Sequence, residues 1–393
     1  MAVWEDIVCG GEDMRYGHLE RVELHLRALS PVFIGSGEEL SKKEYIYNKA
    51  DGKIYMPDLA KLTAFLSKRS LIPAFQSFLL HPKGNDLYFL LCENGIEKKD
   101  YSDFVSYVID AGEVASSEHF RGVLTFIKGP DGRPYIPGSS LKGVIRTAIA
   151  AKLLEKGNFE KSILEIEKAA DDFRNPRRYI SKEAKYLESQ LFCKLSIKDP
   201  RNPNMNWHHI VNDFMKGISI SDSAPIAFEN LTLCGKYDRK PDGFTKQLPI
   251  YRECLVPGTN TRFVLTMDRL VLDRVGIDKR YIEEALYYFS NMQYESFEQH
   301  FAEMQEDSEQ KAINGVDIIL GGGAGYVSKT LSYPLIYNRQ RALKLVSKMM
   351  IKQFRAHKHE KDLGMYNVSP HTFKTTRYNG TYYQMGRCEL VFE

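Results

Sequence analysis

Four glycines in five positions, Gly321, Gly322, Gly323 and Gly325 around Ala324, form the stretch of this sequence whose chemistry is easiest to name. Glycine loses more backbone freedom on ordering than any other residue. A cluster of them therefore marks a chain held at positive φ or a main chain approached closely by something else. Successive uncovered N–H groups in such a stretch hold anions. Tyr326, Val327, Ser328, Lys329 and Thr330 follow at once, adding one cation and two side-chain hydroxyls beside an aromatic ring. From Gly323 to Ser328-Lys329-Thr330 the run differs from a nucleotide-binding P-loop only at its second glycine. A P-loop, however, must run straight into a helix whose N-terminus faces the phosphates. Here Leu331-Ser332-Tyr333-Pro334 intervenes, with Pro334 where a helix needs its N–H. The spacing predicts a loop that cradles a polyanion, with a purely structural turn as the alternative.

A second candidate lies at Gly138-Ser139-Ser140. Ser139 or Ser140 is placed to cap a helix carrying Leu141, Val144, Ile145, Ala148 and Ile149 on one face. Lys142 and Arg146 stand four residues apart beside the positive end of that helix, which makes a phosphate seat. The bland alternative is a capped helix with two solvated cations. Other chemistry-bearing types are scattered. His18, His25 and His119 lie near first-half strands and loops, without a second group at useful spacing for general-base work on a ribose hydroxyl. His208-His209 and His357-Lys358-His359 lack cysteine or carboxylate partners at a recognisable metal-binding spacing and read as surface residues. Asp222, before Ser223 and Pro225, reads as a turn or cap. The six cysteines show no regular spacing, so neither a zinc site nor a disulfide framework is indicated; no catalytic residue, metal or cofactor is expected.

The elements that position these residues follow from periodicity. Val22 to Ala28 alternates strictly and reads as a half-buried strand, leading through Ser30-Pro31 to the short loop Gly35-Ser36-Gly37. Strands are expected at Glu44–Tyr47, Lys53–Pro57, Arg121–Lys128, Ile226–Leu233, Tyr251–Val256 and Arg262–Met267, and a helix from Asp58. Between Leu71 and Gly112 the pattern is mostly helical, most clearly over Asp100–Asp110. Asn158 to Leu195 reads as a charged, solvated helical insertion, Asp199–Asn204 as a connection, and Lys236–Lys246 as a polar segment. Helices follow at Asp278–Asn291, Glu295–Lys311 and Arg339–His357; the last presents Lys344, Lys348, Lys352 and Arg355 to RNA, a partner or solvent. A boundary near 216 divides the 393 residues into 1–216 and 217–393. A formal charge of +3 makes any nucleic-acid surface a local matter, and the absence of an apolar run of membrane length argues for the cytoplasm and against a membrane partner.

Ser30 to Gly37, Tyr135-Ile136-Pro137-Gly138-Ser139-Ser140-Leu141-Lys142-Gly143-Val144-Ile145-Arg146, Ile220-Ser221-Asp222-Ser223 and Leu320 to Thr330, in this order, resemble the RAMP proteins of CRISPR systems, in the branch that builds type III-A Csm effector complexes. The resemblance implies an α+β chain of two ferredoxin-like (RRM-like) domains with helical insertions. It further implies glycine-rich loops on the backbone of a CRISPR guide RNA, a place at the guide's 3′ end beside the repeated backbone subunit and other Csm subunits, and a part in guide maturation through recruited nucleases. On that reading RNA is held by Gly35, Ser36, Gly37, Gly138, Ser139, Ser140, Lys142, Arg146, Gly321, Gly322, Gly323, Gly325, Tyr326 and Lys329, without catalysis. A metal-independent endoribonuclease of the same family is the alternative. No RNP-type aromatic pattern marks the strands, so RNA is expected along the loops.

Overall fold

The computed structural model describes residues 16–81, 85–112, 122–175, 179–198, 204–304 and 312–393. The alternating stretch forms β1 (Leu19–Ala28), with Val22, Leu24, Leu26 and Ala28 buried. The chain then builds β2 (Gly35–Ser41), β3 (Ile46–Asn48) and β4 (Lys53–Pro57), and the helices α1 (Leu59–Lys68), α2 (Ile72–Leu80) and α3 (Leu87–Glu93). Strands β5 (Val105–Asp110) and β6 (Gly122–Phe126) precede α4 (Gly138–Lys156), α5 (Glu160–Asp171) and α6 (Ser181–Phe192). The second half contains β7 (Ile218–Ile220), β8 (Leu231–Arg239), β9 (Thr245–Leu255), β10 (Asn260–Asp268), α7 (Arg269–Leu272), α8 (Lys279–Ser296) and β11 (Val316–Ile319). It closes with α9 (Arg339–Gln353), β12 (Phe373–Tyr378), β13 (Thr381–Gln384) and β14 (Arg387–Phe392).

Two sheets organise these elements. The first runs β11-β14-β1-β10-β7, antiparallel throughout, with α4 and α8 packed on each other and against the edge strands β7 and β11. The second runs β2-β6-β9-β8-β5-β4-β3, with the β12–β13 hairpin attached to β8. This is the expected α+β class with helical insertions. The division at 216, however, does not separate two sheets. β1 lies between β10 and β14, and β5 and β6 pair with β8 and β9, so each sheet takes strands from both halves. One buried core runs from Val22 to Leu390. A strand as long as β1 offers hydrogen-bonding groups along both edges, and the strands that satisfy them come from the far end of the chain.

Several local expectations change. Asp100–Asp110 is not a helix: a 3₁₀ turn over Lys98–Asp103 leads into β5, whose Val105, Tyr107 and Ile109 recur with strand period. α1–α3 enclose a small core of their own around Leu62, Phe65, Phe75, Leu91 and Phe104. The polar segment 236–246 is the arm of the β8–β9 hairpin. The charged helix α5 is not solvated all round. It buries Ile163, Ile166 and Ala170 and meets α9 through Arg341, which lies 2.9 Å from Glu160 and 2.7 Å from Glu167, and through Lys348, 2.5 Å from Asp171. The basic flank of α9 is therefore spent in part on α5. Residues 305–311 of the expected second-half helix and 199–203 of the expected connection lie outside the described residues. Among the described residues, no helix is long and apolar enough to cross a membrane.

A single carboxylate ties the second sheet together. Glu253 on β9 has no exposed surface; it accepts from the Tyr107 hydroxyl of β5 at 2.7 Å, the Phe126 N–H of β6 at 2.7 Å and the Lys128 ammonium at 2.8 Å. Removing a buried partner strands the groups left behind, so Glu253→Ala should destabilise the fold by about 3–5 kcal/mol. Urea unfolding checks this, and a loss below about 1 kcal/mol would contradict the role given to Glu253.

Candidate anion-binding site

The glycine-rich loop leaves β11 and folds over the segment that links β1 to β2. The Gly322 N–H donates to the Phe33 carbonyl at 2.7 Å, and a Cβ on Gly321 would collide with that same oxygen. Gly321, Gly323 and Gly325 all have positive φ, at 83°, 83° and 95°. The loop therefore meets both demands that glycine serves, left-handed backbone and close approach. Only a single 3₁₀ turn follows, over Val327–Lys329, and α9 opens at Arg339. No helix N-terminus faces the loop from its own chain continuation, as a P-loop would require.

Beneath the loop lies an apolar floor of Phe33, Cys234, Cys254 and Met385, and in it a guanidinium. Arg252 of β9 is 8% exposed, with its guanidinium 5.4 Å from the centre of the Phe33 ring and one terminal nitrogen 3.5 Å from the Met385 sulfur. That nitrogen lies 3.0 Å from where a Cβ of Gly323 would be, so the missing side chain is what leaves the cation uncovered. Among the described residues no carboxylate pairs with Arg252, and its Nε has no hydrogen-bond partner. Burial lowers its pKa, as it does that of Lys236. Lys374 of β12 lays its stem against Gly325, and its ammonium shares Asp238 with Lys236, at 2.8 and 4.0 Å. Lys329 is exposed and makes no ion pair among the described residues. Four cations thus surround the loop with one carboxylate among them, and among the described residues the most buried of the four makes no ion pair. A buried charge is costly unless paired, so this arrangement calls for an anion from outside.

The second candidate is built differently. The N-terminus of α4 is already occupied: Asp222 accepts from the Gly138 N–H at 2.8 Å, so neither Ser139 nor Ser140 caps the helix. Gly138 is required because a Cβ would strike the carbonyls of Ile220 and Ser221. Lys142 donates to the Ile218 carbonyl at 2.6 Å, and Arg146 pairs with Asp213 at 3.0 Å while stacking on Phe192 at 3.7 Å. The Tyr135–Arg146 and Ile220–Ser223 motifs therefore lock each other, with Ser223 bonding Ile136 in both directions. Nor do the two expected seats form one cradle. β7 and β11 occupy opposite edges of the first sheet, four strand spacings or about 19 Å apart.

Gly35, Ser36 and Gly37 open the irregular edge strand β2, not a loop. Ser36 bonds Thr125 at 2.6 Å and faces a cleft lined also by Lys43, Lys128, Glu38 and Glu44. Tyr326 packs on the core and shares a hydrogen bond with Ser332 at 2.7 Å, which places its ring under its own loop. His25 sits on the outer face of β1, 3.5 Å from Glu23 and 3.2 Å from Glu393; His119 lies outside the described residues. His357 is exposed as expected, but His359 is buried against Asp362 and His371. Arg252 escaped the reading from sequence. The signal that marks it is a charged pair, Arg252-Glu253, inside an otherwise apolar strand whose residues Tyr251–Leu255 are all buried.

The profile of the RAMP superfamily matches residues 25–326. The CRISPR system Cms protein Csm5 of Mycobacterium tuberculosis (strain CDC 1551 / Oshkosh) is 28% identical over 392 residues, covering 95% of this chain and 98% of the relative. The protein of the same name from Streptococcus thermophilus is 27% identical over 382 residues, 94% of this chain and 97% of its own. Two solved structures share the fold. A chain in the cryo-EM structure of a Csm–crRNA–target RNA ternary complex of a type III-A CRISPR-Cas system superposes with a TM-score of 0.64 at 21% identity, covering 94% of this chain and all of that one. The crystal structure of T. onnurineus Csm5 gives 0.58 at 19% identity, with 93% and 99% covered.

The lock between the two motifs has a measurable consequence. Asp222→Ala leaves the Gly138 N–H of α4 without its acceptor and should cost about 1 kcal/mol, the usual worth of a helix cap. Lys142→Ala should likewise lower stability, because the Ile218 carbonyl loses its donor. Thermal unfolding reads both; a chain as stable without Asp222 as with it would remove the cap.

Proposed function

The chain belongs to the RAMP superfamily, and we propose that it is an RNA-binding subunit of a type III-A CRISPR (Csm) ribonucleoprotein complex, of the kind its relatives named Csm5 represent, acting in antiviral defence. The observation that carries this reading is the buried, unpaired Arg252 under a loop of four glycines. An RNA phosphate supplies the missing anion. Arg252, Lys329 and Lys374 surround it, and the main chain of Gly321–Gly325 approaches closely because no side chains intervene. Such contacts hold a strand without reading its bases, as a protein that accepts any guide must. Gly35, Ser36 and Gly37 extend the path along β2, since Phe33 joins them to the glycine loop. Gly138, Ser139, Ser140, Lys142 and Arg146 brace the fold at the other edge of the sheet.

On this proposal the subunit caps the 3′ region of the guide beside the repeated backbone subunit, contacts other Csm subunits, supports guide maturation through recruited nucleases, and works in the cytoplasm without cutting RNA itself. Support for the complex comes from the relatives named Csm5 and from the structural neighbour in a Csm–crRNA–target RNA complex.

The test is binding of single-stranded RNA by fluorescence anisotropy between 50 and 200 mM salt. Arg252→Gln and Lys329→Ala should each weaken binding about tenfold regardless of sequence, the worth of a charge-assisted hydrogen bond, and each should lower the salt slope by about 0.7. Lys142→Ala should leave the slope unchanged. Unchanged slopes for both Arg252→Gln and Lys329→Ala would remove the site. RNA cleavage that a 2′-deoxy substitution at the cut abolishes would overturn the non-catalytic part and favour the endoribonuclease.

A further inference from the structure

Asp362 differs from the other buried carboxylates of this chain in what compensates it. Glu253 has Lys128 at 2.8 Å, Glu298 has Arg387 at 2.6 Å, and Glu389 accepts from the backbone N–H groups of Ile313, Asn314 and Gly315 at 2.7, 2.6 and 3.2 Å. Asp362 has no exposed surface, and among the described residues no lysine or arginine pairs with it. Its partners are the Nδ1 atoms of His359, at 3.0 Å, and His371, with the Ser369 hydroxyl donating at 2.5 Å. Both histidines are 3% exposed and their rings lie 4.9 Å apart.

We propose that His359, Asp362 and His371 form a binding site for a divalent transition-metal ion of the zinc type. The donor set, two imidazoles and one carboxylate, is the one such ions prefer over the oxygen cages of calcium or magnesium. One donor atom from each residue lies within 4.8 Å of the others. A tetrahedral shell with bonds of about 2.0–2.1 Å needs its ligand atoms about 3.3 Å apart, so rotamer-scale adjustments suffice. A cation at this point also compensates a buried carboxylate with which no lysine or arginine pairs among the described residues.

The location gives the ion structural work. Residues 354–372 connect α9 to β12 with only short 3₁₀ and π turns. The cluster gathers both ends of that connection. Ser347 of α9 donates to the His359 carbonyl at 3.3 Å and Tyr333 donates to the Ser369 carbonyl at 2.6 Å. An ion here staples α9 to the start of β12. The inference stands apart from RNA binding, because none of the three residues contacts the glycine loop's cations.

The experiment uses the full-length protein purified without a histidine tag. Elemental analysis should find about one zinc-type ion per chain, and stripping with a chelator followed by Zn²⁺ alone should lower and then restore the unfolding temperature. Co²⁺ alone should give visible absorption from a protein-bound site. His371→Gln and Asp362→Asn should abolish the stoichiometric ion, while His208→Gln, at an exposed residue outside the cluster, should retain it. Because the metal measurements are made on the native sequence, they decide the matter even if the cluster variants fail to fold. Less than one ion per ten chains, with no change in unfolding temperature on adding Zn²⁺ or Co²⁺, leaves a hydrogen-bonded hub only and overturns the site.

Discussion

The structure turns on the contact between the Gly321-Gly322 backbone and the carbonyl of Phe33. Phe33 lies in the short passage where the chain leaves the first sheet and enters the second, and that passage pairs with a strand only through the bridge of Val32 to Leu255. Its polar groups are satisfied one by one from elsewhere. Leu29 and Ser30 donate to the Arg387 carbonyl, Val32 to Leu255, the Pro31 carbonyl accepts from Gly386 and the Phe33 carbonyl from Gly322. A buried backbone group must find a partner. The crossing is possible only because β9, β14 and the glycine loop converge on it. A Cβ at Gly321 would push the loop off Phe33 and break the last of these bonds, and a Cβ at Gly323 would cover the guanidinium of Arg252. One requirement for bare backbone thus joins the two sheets and opens the anion site.

Much of this was legible from residue order. The alternation of Val22 to Ala28, the apolar face of α4 and the strands around Tyr251 and Phe263 are local patterns, and a local pattern reveals its own period. The rejection of a P-loop also rested on a local fact, the proline at 334, and α9 begins only at Arg339. What periodicity does not carry is pairing. The boundary at 216 does not coincide with a division between sheets, because β1 pairs with residues nearly the whole chain away, and nothing in its own residues names β14 as a neighbour. Asp100–Asp110 misled for a related reason: its first residues do form a helical turn, and only the pairing of β5 with β4 turns the rest into a strand.

The candidate site shows the same divide more sharply. Spacing placed Lys142 and Arg146 on one face of a helix, and they are there. It could not show that Asp213 and the Ile218 carbonyl lie on the other side of them. Asp222 was read as a turn or cap, and it caps a helix that begins 84 residues earlier in the chain. Arg252 failed in the opposite direction: in the sequence it is one charged residue among several, and only its burial and lack of a partner give it meaning. For ionisable residues the type suggests a function, but the environment that decides it is assembled from distant segments.

On the proposed function, the charge arrangement would let a chain of nearly neutral net charge hold a polyanion. Several of its cations are committed to carboxylates, Arg341 and Lys348 to α5, Arg146 to Asp213 and Lys128 to Glu253. Around the glycine loop, by contrast, Arg252, Lys236, Lys329 and Lys374 share a single carboxylate among the described residues. Backbone N–H donors carry no net charge and release no counterions from a nucleic acid; only the cations do. A seat made largely of main chain therefore fixes the position of a strand through more contacts than its salt dependence reveals. On the proposed function the buried guanidinium, screened less than any surface lysine, would keep its hold on a phosphate at ionic strengths that weaken exposed contacts.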